Sequence, residues 1–405
     1  MTTTINNEHK KLNVPNIRFP EFEGEWTEHT LGDISEFSKE RLTSKELSCD
    51  NYVATENMLQ DYQGIVTASN IPSNTNVIKF SKGDVLLSNI RPYLKKVWYA
   101  DRDGGCSADV FVFKALAVCD TDFLHYIIAN DRFINFTMSG AKGVKMPRGD
   151  KEQMKTYKIG LPSKEEQRKI ANLLRLLDER IATQNKVIDK LQSLIKGMED
   201  NLLDNPLWKK TYLRSFMQFF PTNSLSWEQL SYKEGAIRNL HYGLIHGLQT
   251  RGINSASLPM IKNEAIPKQY TLCQVGDVAF ADASEDTGEI AKSVEFVDTI
   301  EGDTICGLHT IHGRDIKNRT VVGFKGFAFN CRYFHDQIKR LAQGTKVFSI
   351  TANNLSSCYV YLPDIETQKV IVRLLKAYEE QLIVCRMTLK QYEKQKQYLL
   401  RQMFI

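Results

Sequence analysis

Residues 161–203 read LPSKEEQRKIANLLRLLDERIATQNKVIDKLQSLIKGMEDNLL. Just after Pro162, Ser163 and Glu166 form the pattern of a capping box, which marks the start of a helix. No other proline occurs before Pro206, so about forty residues are free to continue that helix. The segment therefore predicts one long helix, and the rest of the chain is arranged around it.

Apolar residues in this segment recur at alternating steps of four and three, the spacing of a coiled-coil seam. The seam positions are Ile170, Leu174, Leu177, Ile181, Ile188, Leu191, Ile195, Met198 and Leu202, with Gln184 as a polar break. A second stripe near the C terminus contains Ile371, Leu375, Tyr378, Leu382, Cys385, Leu389, Tyr392, Leu399 and Met403, with Lys396 as its break. We expect the two stripes to pair as an antiparallel coiled coil. The alternative is that each stripe packs only on its own domain.

The chain also repeats itself, with most matches at a shift of 201 positions (362 minus 161). These matches pair Leu161-Pro162 with Leu362-Pro363, Gly143-Val144-Lys145 with Gly344-Thr345-Lys346, and Phe19-Pro20 and Trp26 with Phe220-Pro221 and Trp227. Between them Gly83-Asp84 best matches Gly276-Asp277, a shift of 193 (276 minus 83). The frame repeats while the interiors diverge, which predicts two related domains of different detail.

The expected fold class is α+β, a mixed α/β chain with two globular domains, two long helices and an internal pseudo-two-fold repeat. The predicted order is a flexible tail over 1–14, a first globular domain over 15–162, a central helix over 163–204, a second globular domain over 205–363 and a C-terminal helix over 364–405. Short β-like runs such as Val85 to Leu87 alternate with turn signals inside each domain.

Composition and absent motifs exclude several classes of protein. The 405 residues carry a formal net charge of +5, and the eight cysteines include no C-x-x-C pair, so we expect no metal site. No stretch reaches the length of a transmembrane helix, and residues 1–10 lack the apolar core of a signal peptide, so we expect a cytoplasmic protein. The chain also has no phosphate-binding loop, no dinucleotide fingerprint and no adjacent prolines, so we expect no catalytic residues.

The opening Pro15-Asn-Ile-Arg18-Phe-Pro20-Glu-Phe-Glu-Gly-Glu-Trp26, the helix start with Glu166-Gln167, and their repeats resemble the specificity subunits of type I restriction-modification systems. In that family two variable target-recognition domains alternate with two helical regions, and the helices dock the modification subunits. The second copy departs from the pattern, because Thr367 precedes Gln368 where the first copy has the Glu-Gln pair.

The resemblance implies a chain that binds a bipartite, asymmetric target in double-stranded DNA and serves DNA methylation and phage defence. It implies as partners two methyltransferase (modification) subunits, which bring S-adenosylmethionine, and restriction/translocase subunits, which bring ATP and Mg²⁺. The chain itself would bind no cofactor. Two other readings are a self-contained DNA-modifying or restriction enzyme and a coiled-coil DNA-binding repressor. The missing motifs count against the enzyme, and the two different domains count against the repressor.

Candidate DNA contacts combine cationic, aromatic and amide side chains on expected loops. In the first domain they are Arg91, Tyr93, Lys95, Lys96, Lys142, Lys145 and Arg148. In the second they are His241, Tyr242, His246, Lys346, Asn353 and Asn354. Solvated loops, or an edge strand protected by lysines, are the competing explanations. The seam residues Ile170, Leu174, Leu177, Ile181, Ile188, Leu191, Ile371, Leu375, Leu382 and Leu389 are the candidates for the coiled-coil and subunit interface.

Overall fold

A computed structural model describes residues 13–248, 250–298, 300 and 302–405. Of the predicted tail over 1–14, residues 1–12 therefore lie outside the described residues. The chain divides into two compact units, the first comprising Met1–Gln184 and Thr388–Ile405 and the second comprising Asn185–Met387. Each long helix runs from one unit into the other. None of the helices in the described ranges is both long enough and apolar enough to cross a membrane.

The first unit is a mixed α/β domain. Its helices are α1 (Leu31–Ile34), α2 (Thr121–Ile128), α3 (Asp131–Ser139), α4 (Lys151–Lys155) and the start of α5 (Lys164–Leu203). Its strands are β1 (Thr27–Thr30), β2 (Ser35–Phe37), β3 (Arg41–Thr43), β4 (Tyr52–Val53), β5 (Asn76–Phe80), β6 (Val85–Ser88), β7 (Val97–Tyr99), β8 (Gly104–Cys106), β9 (Val110–Ala115) and β10 (Lys158–Leu161). They form sheets in the orders β2-β9-β6-β7 and β3-β5-β8-β4, and the antiparallel pair β1-β10.

The second unit has the same kind of architecture. Its strands are β11 (Lys209–Tyr212), β12 (Met217–Phe220), β13 (Leu230–Ser231), β14 (Arg238–Leu240), β15 (Gly252–Ile253), β16 (Met260–Ile261), β17 (Val278–Ala281), β18 (Ala283–Ser284), β19 (Ser293–Phe296), β20 (Thr304–Cys306), β21 (Thr310–Asp315), β22 (Phe348–Ser349) and β23 (Tyr359–Leu362). Its helices are α6 (Tyr242–Gly247), α7 (Phe324–Ala328), α8 (Arg332–Leu341), α9 (Ala352–Ser357) and most of α10 (Ile365–Gln402). The sheets run β12-β21-β17-β19-β15 and β13-β16-β14-β20, beside the pairs β11-β23 and β18-β22.

Strand pairing confirms the internal repeat but corrects its beginning. Thr27 of β1 lies opposite Leu161, and Lys209 of β11 lies opposite Leu362, so the first strands are related by a shift of 182 (209 minus 27). Trp26 therefore corresponds to Trp208, and its predicted match with Trp227 is wrong. Backbone pairing decides the equivalence here, whereas a Phe-Pro pair followed by a tryptophan is too short a pattern to do so.

At the start of each long helix, one glutamine side chain makes the same three hydrogen bonds to backbone groups of its own unit. We call this arrangement the glutamine lock. The Gln167 side chain accepts a hydrogen bond from the Asp120 backbone N–H (2.8 Å) and donates to the carbonyls of Val118 (3.2 Å) and Pro162 (2.9 Å). Gln368 repeats all three contacts in the second unit, with the backbone of Val321, Arg319 and Pro363. The lock binds backbone groups only and therefore does not depend on the side chains inside each domain.

The predicted capping box is only half present. The Ser163 hydroxyl accepts from the Glu166 N–H at 3.3 Å, as a helix cap should. The Glu166 carboxylate does not close the box, because it pairs with the Arg18 guanidinium through two hydrogen bonds of 2.8 Å each. The indole of Trp26 also donates to it, at 3.3 Å. These contacts tie the N-terminal segment to the helix start.

The helices pair antiparallel, as predicted. In the first unit the N-terminal part of α5, with Ile170 and Leu174, shares a core with Leu400 and Met403 of α10. In the second unit the opposite ends meet, since Leu203 of α5 packs in the same core as residues near the start of α10. Lys396, the predicted polar break in the second stripe, forms an ion pair, with its ammonium 2.5 Å from the Asp178 carboxylate.

Both arrangements predicted for the apolar stripes occur in part. The two stripes pair with each other, and the first seam residues of each helix also pack on their own domain. The buried seam residues are Ile170, Leu174, Leu177, Ile188, Ile371, Leu375 and Leu382, while Ile181, Leu191 and Leu389 are partly buried. Buried residues offer little surface to another subunit, so their role as a subunit interface stays a prediction. The large apolar side chains that the helices expose are different ones, namely Leu176, Val187, Leu194, Ile365, Val370, Leu374, Val384, Met387 and Tyr398.

Candidate nucleic-acid interface

A small exposed hairpin lies in the first unit, just before α4. The Lys142 N–H donates to the Arg148 carbonyl and the Arg148 N–H donates to that of Lys142, both at 2.9 Å. Gly143 adopts a φ of 94°, which favours glycine at the turn. Lys145 lies at the tip and is exposed. The predicted basic loop is thus a hairpin whose two sides are joined by two backbone hydrogen bonds.

The second predicted segment of this unit packs against the hairpin. The Arg91 N–H donates to the Pro147 carbonyl at 2.8 Å, and the Gly149 N–H donates to the Asn89 carbonyl at 3.3 Å. Arg91 and Lys95 both adopt left-handed backbone angles, with φ of 51° and 53°, on either side of a single 3-10 turn. Two segments far apart in sequence therefore form one surface, from which the half-exposed Tyr93 side chain projects.

The charges of this surface divide into two groups. Lys145 forms no ion pair within the described ranges, and Arg148 pairs with the exposed Asp109 at 2.9 Å. Lys142 pairs with Asp150 at 2.6 Å, in contact with solvent. Exposed pairs of this kind contribute little to stability and exchange readily for a phosphate. These three cations are therefore available to an anionic ligand.

Lys95 and Lys96 are partly buried and contact other parts of the first unit, and their predicted contact with DNA stays a prediction. The Lys95 ammonium lies 2.8 Å from the Asp131 carboxylate, and that of Lys96 donates to the Thr55 carbonyl at 2.6 Å. Both contacts hold the loop in its left-handed turn. Sequence spacing cannot show this, because Thr55 and Asp131 come from distant parts of the chain. Of the four residues predicted here, Tyr93 is the exposed one, and the contact of all four with DNA stays a prediction.

The second unit contains the same hairpin at a shift of 201. The Gln343 N–H donates to the Ser349 carbonyl at 3.0 Å, and the reverse bond measures 2.8 Å. Lys346 lies at the exposed tip, in the place that Lys145 has in the first unit. Here β18 pairs with β22, bringing Ala283 opposite Ser349. The architecture of the surface repeats although its side chains do not.

A cluster of histidine and aromatic rings lies in the same unit as this second hairpin. The buried His241 ring accepts from the Gly243 N–H at 3.2 Å and stacks on Trp227, with ring centroids 4.4 Å apart. Burial, and then the neighbouring His309, lower the pKa of His241. The ring of Tyr242 contacts His309 edge-on at 5.2 Å. His241 is therefore enclosed by the domain beside Tyr242, and its predicted contact with DNA stays a prediction.

The other predicted histidine, His246, also lies beside the hairpin. Its Nε2 is 3.1 Å from the Ala283 carbonyl, at the strand that pairs with the hairpin. Next to it His309, whose Nδ1 is 3.0 Å from the Asp282 carboxylate, is half-exposed. Sequence reasoning missed His309 and Trp227. The place of His309 in the second copy was the available signal, since it occupies the turn that holds Asp109 in the first.

The two predicted asparagines have separate roles. The Asn354 side chain accepts from the Thr351 N–H at 3.3 Å and closes a capping box at the start of α9. Its amide oxygen is therefore already engaged in the protein. Thr351 caps this helix as Asp150 caps α4 in the first unit, where the Asp150 carboxylate accepts from the Glu152 N–H at 2.9 Å. Asn353 is exposed on the first turn of the helix and stays a candidate.

Each surface thus combines cations or hydrogen-bonding rings with an exposed aromatic face on ordered loops. Cations and amides suit phosphate oxygens, while guanidinium groups, imidazoles and amides suit the edges of bases. The first unit presents Arg148, Lys145 and Tyr93, and the second presents Lys346 with rings such as Tyr242. The two surfaces share a frame and differ in the chemistry they present.

Residues 23–193 match the family of type I restriction modification DNA specificity domains. The specificity subunit of the type I restriction enzyme MjaVIII from Methanocaldococcus jannaschii is 25% identical over 94% of this chain and 91% of its own. The crystal structure of the S subunit of a type I restriction-modification system from M. genitalium has the same fold, with a TM-score of 0.59, 15% identity, and coverage of 97% of this chain and 99% of that one. A chain from a structural study of complex assembly in a type I restriction-modification system matches with a TM-score of 0.58 and 18% identity, over 93% and 96% of the two chains.

Proposed function

Since this chain belongs to the type I restriction-modification specificity family, we propose that each of its two units reads one half of a bipartite, asymmetric target in double-stranded DNA. The observation that carries the proposal is the repeated hairpin, which presents Lys145 in one unit and Lys346 in the other. Two readers with one frame and different side chains would recognise two different half-sites.

The side chains in and around the two hairpins support different contributions of the two units to DNA binding. In the first unit the surface is cationic, with Lys142, Lys145 and Arg148 on one short hairpin. In the second unit Lys346 is the cation of the hairpin, and the rings of Tyr242, His246 and His309 lie on other segments of the unit. Phosphate contacts position a protein on DNA, and base contacts specify the sequence. The first surface therefore supplies more of the affinity that depends on charge.

An exchange of domains tests this proposal directly. Residues 205–362 are replaced by the corresponding domain of another specificity subunit, which keeps both lock glutamines, Gln167 and Gln368, and both long helices. Methylation is then mapped across the genome of cells that express the chimera with its partner subunits. We expect one half of the methylated sequence to change and the other half to stay. The reciprocal chimera, with residues 15–162 replaced, is the matched control and should change only the other half.

A change in both halves, or in neither, would contradict the assignment of one half-site to each unit. A chimera that no longer methylates any site is resolved by measuring whether it still binds its partner subunits. If it does, and it binds neither parental half-site, the modular proposal fails.

Assembly with the other restriction-modification subunits follows from the family, and its details are part of this proposal. Two methyltransferase subunits would bind the exposed apolar side chains of α5 and α10, among them Leu176 and Val384. Those subunits would bring S-adenosylmethionine, and restriction subunits would bring ATP and Mg²⁺. This chain would act in the cytoplasm as the recognition component, without catalysing a step itself. Exposed apolar side chains in a row are characteristic of such docking surfaces.

A further inference from the structure

Three buried side chains with metal-binding atoms meet in the second unit, away from the hairpin. They are Cys273, Cys306 and His312, and their ligand atoms all lie within 4.8 Å of one another. The two sulfur atoms are 3.6 Å apart. His312 is 1% exposed and Cys306 is 2% exposed, so the group is enclosed by protein.

Rigid strands hold this group in place. Cys306 is the last residue of β20 and His312 lies in β21. Cys273 is fixed to β20 by the hydrogen bond from its N–H to the Thr304 carbonyl, at 2.8 Å. None of the three ligands therefore sits on a loose loop, which is the arrangement that a preformed metal site needs.

The geometry suits a tetrahedral zinc ion. Zinc–thiolate bonds of about 2.3 Å at a tetrahedral angle place two sulfur atoms about 3.8 Å apart. The observed separation of 3.6 Å needs almost no movement to reach that value. Histidine completes a set of nitrogen and sulfur ligands that is typical of zinc.

A carboxylate already orients the histidine. The His312 Nε2 lies 2.7 Å from the Asp277 carboxylate, which also binds the Arg314 guanidinium at 2.7 Å. Metal-binding histidines characteristically have such a carboxylate beside the ring, where it fixes the ring and raises its basicity. Arg314 in turn fixes Asp277. The network behind His312 is therefore complete without any rearrangement of the fold.

Comparison of the two units shows that the group is particular to the second. Strand pairing places Phe80 opposite Gly104 in the first unit, where Cys273 meets Thr304 in the second. Cys106 and Asp84 occupy the places of Cys306 and Asp277, while Val112 occupies that of His312. Replacement of a phenylalanine by cysteine and of a valine by histidine makes the core less apolar. Both replacements add a metal-binding atom at the same point.

From these observations we infer that the second unit binds one Zn²⁺ through Cys273, Cys306 and His312, with Asp277 holding the histidine ring and a small molecule such as water in the fourth position. The ion would join β20, β21 and the segment that begins at Cys273. It would brace the core of the second unit, and nothing in the inference depends on the DNA target.

Zinc analysis of the purified full chain, alone or with its partner subunits, tests the inference. We expect about one zinc per chain by elemental mass spectrometry, as for a structural site. Cys273→Ser and His312→Val should each lose at least about nine-tenths of it, because two ligands do not retain zinc against a chelator. Cys331→Ser, a buried cysteine elsewhere in the same unit, is the matched control and should keep its zinc.

Cobalt replacement gives a second readout that does not depend on the variants folding well. Co²⁺ added to the chelated wild-type chain should produce the thiolate-to-cobalt charge-transfer band and the strong visible bands of tetrahedral cobalt, and zinc should remove them. A chain that binds neither metal, or one whose Cys273→Ser variant keeps the zinc, would overturn the site. A wild-type mass lower by the two hydrogens of a Cys273–Cys306 disulfide in the freshly isolated protein would also overturn it.

Discussion

His125 of α2 is a partly buried residue at the junction of the domain and the helices of the first unit. Its ring lies between those of Tyr99 and Tyr126, at centroid distances of 5.2 and 4.8 Å. The Tyr126 hydroxyl donates to Asp178 at 2.8 Å, and Asp178 binds Lys396. Burial, and then the positive charge of Lys396, lower the pKa of His125 to about 4.

Acid should therefore destabilise the first unit in a defined range of pH. The pKa of an unfolded histidine is about 6.5, so this contribution to stability is complete above that pH and is lost as the pH falls toward 4. Between pH 7 and pH 5 we expect His125 to lower the free energy of unfolding by about 1 to 2 kcal/mol. Urea titrations at both pH values should show a smaller loss for His125→Gln than for the wild type. An equal loss in both proteins would refute this role.

At the scale of single residues, the sequence could predict which kinds of side chain lie on the candidate surfaces. It could not predict which other residues those side chains contact. Lys95 and Lys142 are both lysines on glycine- or proline-marked loops, yet one is held by Asp131 and the other is exposed beside Asp150. The difference arises from contacts between distant segments, which no local pattern records. Tyr93 and Lys145 were predicted and are exposed, and their contact with DNA stays a prediction.

The long helices show why elements are easier to predict than sites. A seam with steps of three and four fixes which face of a helix is buried, so pairing followed from the pattern. The same helix also has a second row of apolar residues, which is exposed to solvent and does not belong to the predicted seam. Leu174 is fully buried, whereas Leu176, two residues later, is 45% exposed. We infer that the first row stabilises the fold and the second binds a partner.

Substitution of these two leucines separates stability from assembly. Leu174→Ala should lower the free energy of unfolding by about 2 to 5 kcal/mol, because it leaves a cavity in the core. Leu176→Asp should change stability by less than about 0.5 kcal/mol but weaken binding of the methyltransferase subunit at least about tenfold. Urea unfolding and quantitative co-purification measure the two effects. If Leu176→Asp binds its partner as tightly as the wild type, this part of the surface is not the docking site.

Across the whole molecule, the two copies of the repeat differ in the number of cations on their hairpins. The sequence could predict the repeat and its changing register, since the shifts of 201 and 193 are visible in the letters. The shift of 182 at the start of the second unit was missed, because β1 and β11 share little more than their pairing with β10 and β23. The uneven distribution of cations between the two hairpins was visible in the sequence, and the structure places both sets on equivalent exposed turns.

The dependence of DNA binding on salt should reveal this asymmetry. Each phosphate contact adds about 0.9 to the slope of log affinity against log salt. Replacement of Lys142, Lys145 and Arg148 by alanine should therefore reduce the slope by about 2 to 3, and Lys346→Ala by about 1. Fluorescence anisotropy on the complex with its partner subunits measures both. Lys158→Ala, an exposed residue paired with Glu28 on a separate sheet, is the control and should leave the slope unchanged. Equal slopes for the triple variant and the control would contradict the proposed interface.

The glutamine locks at the two helix starts have a consequence for the gene. Gln167 and Gln368 each recognise one backbone N–H and two carbonyls, so the lock itself makes the same three bonds whatever the domain's interior sequence. A crossover between two such genes at the Leu-Pro codons would join a new reader to an old helix without breaking a side-chain contact at the lock. Inheritance of a whole reader in one step then changes the recognised sequence while the fold persists. Recombination, rather than gradual substitution, is the route to new specificities that this joint favours.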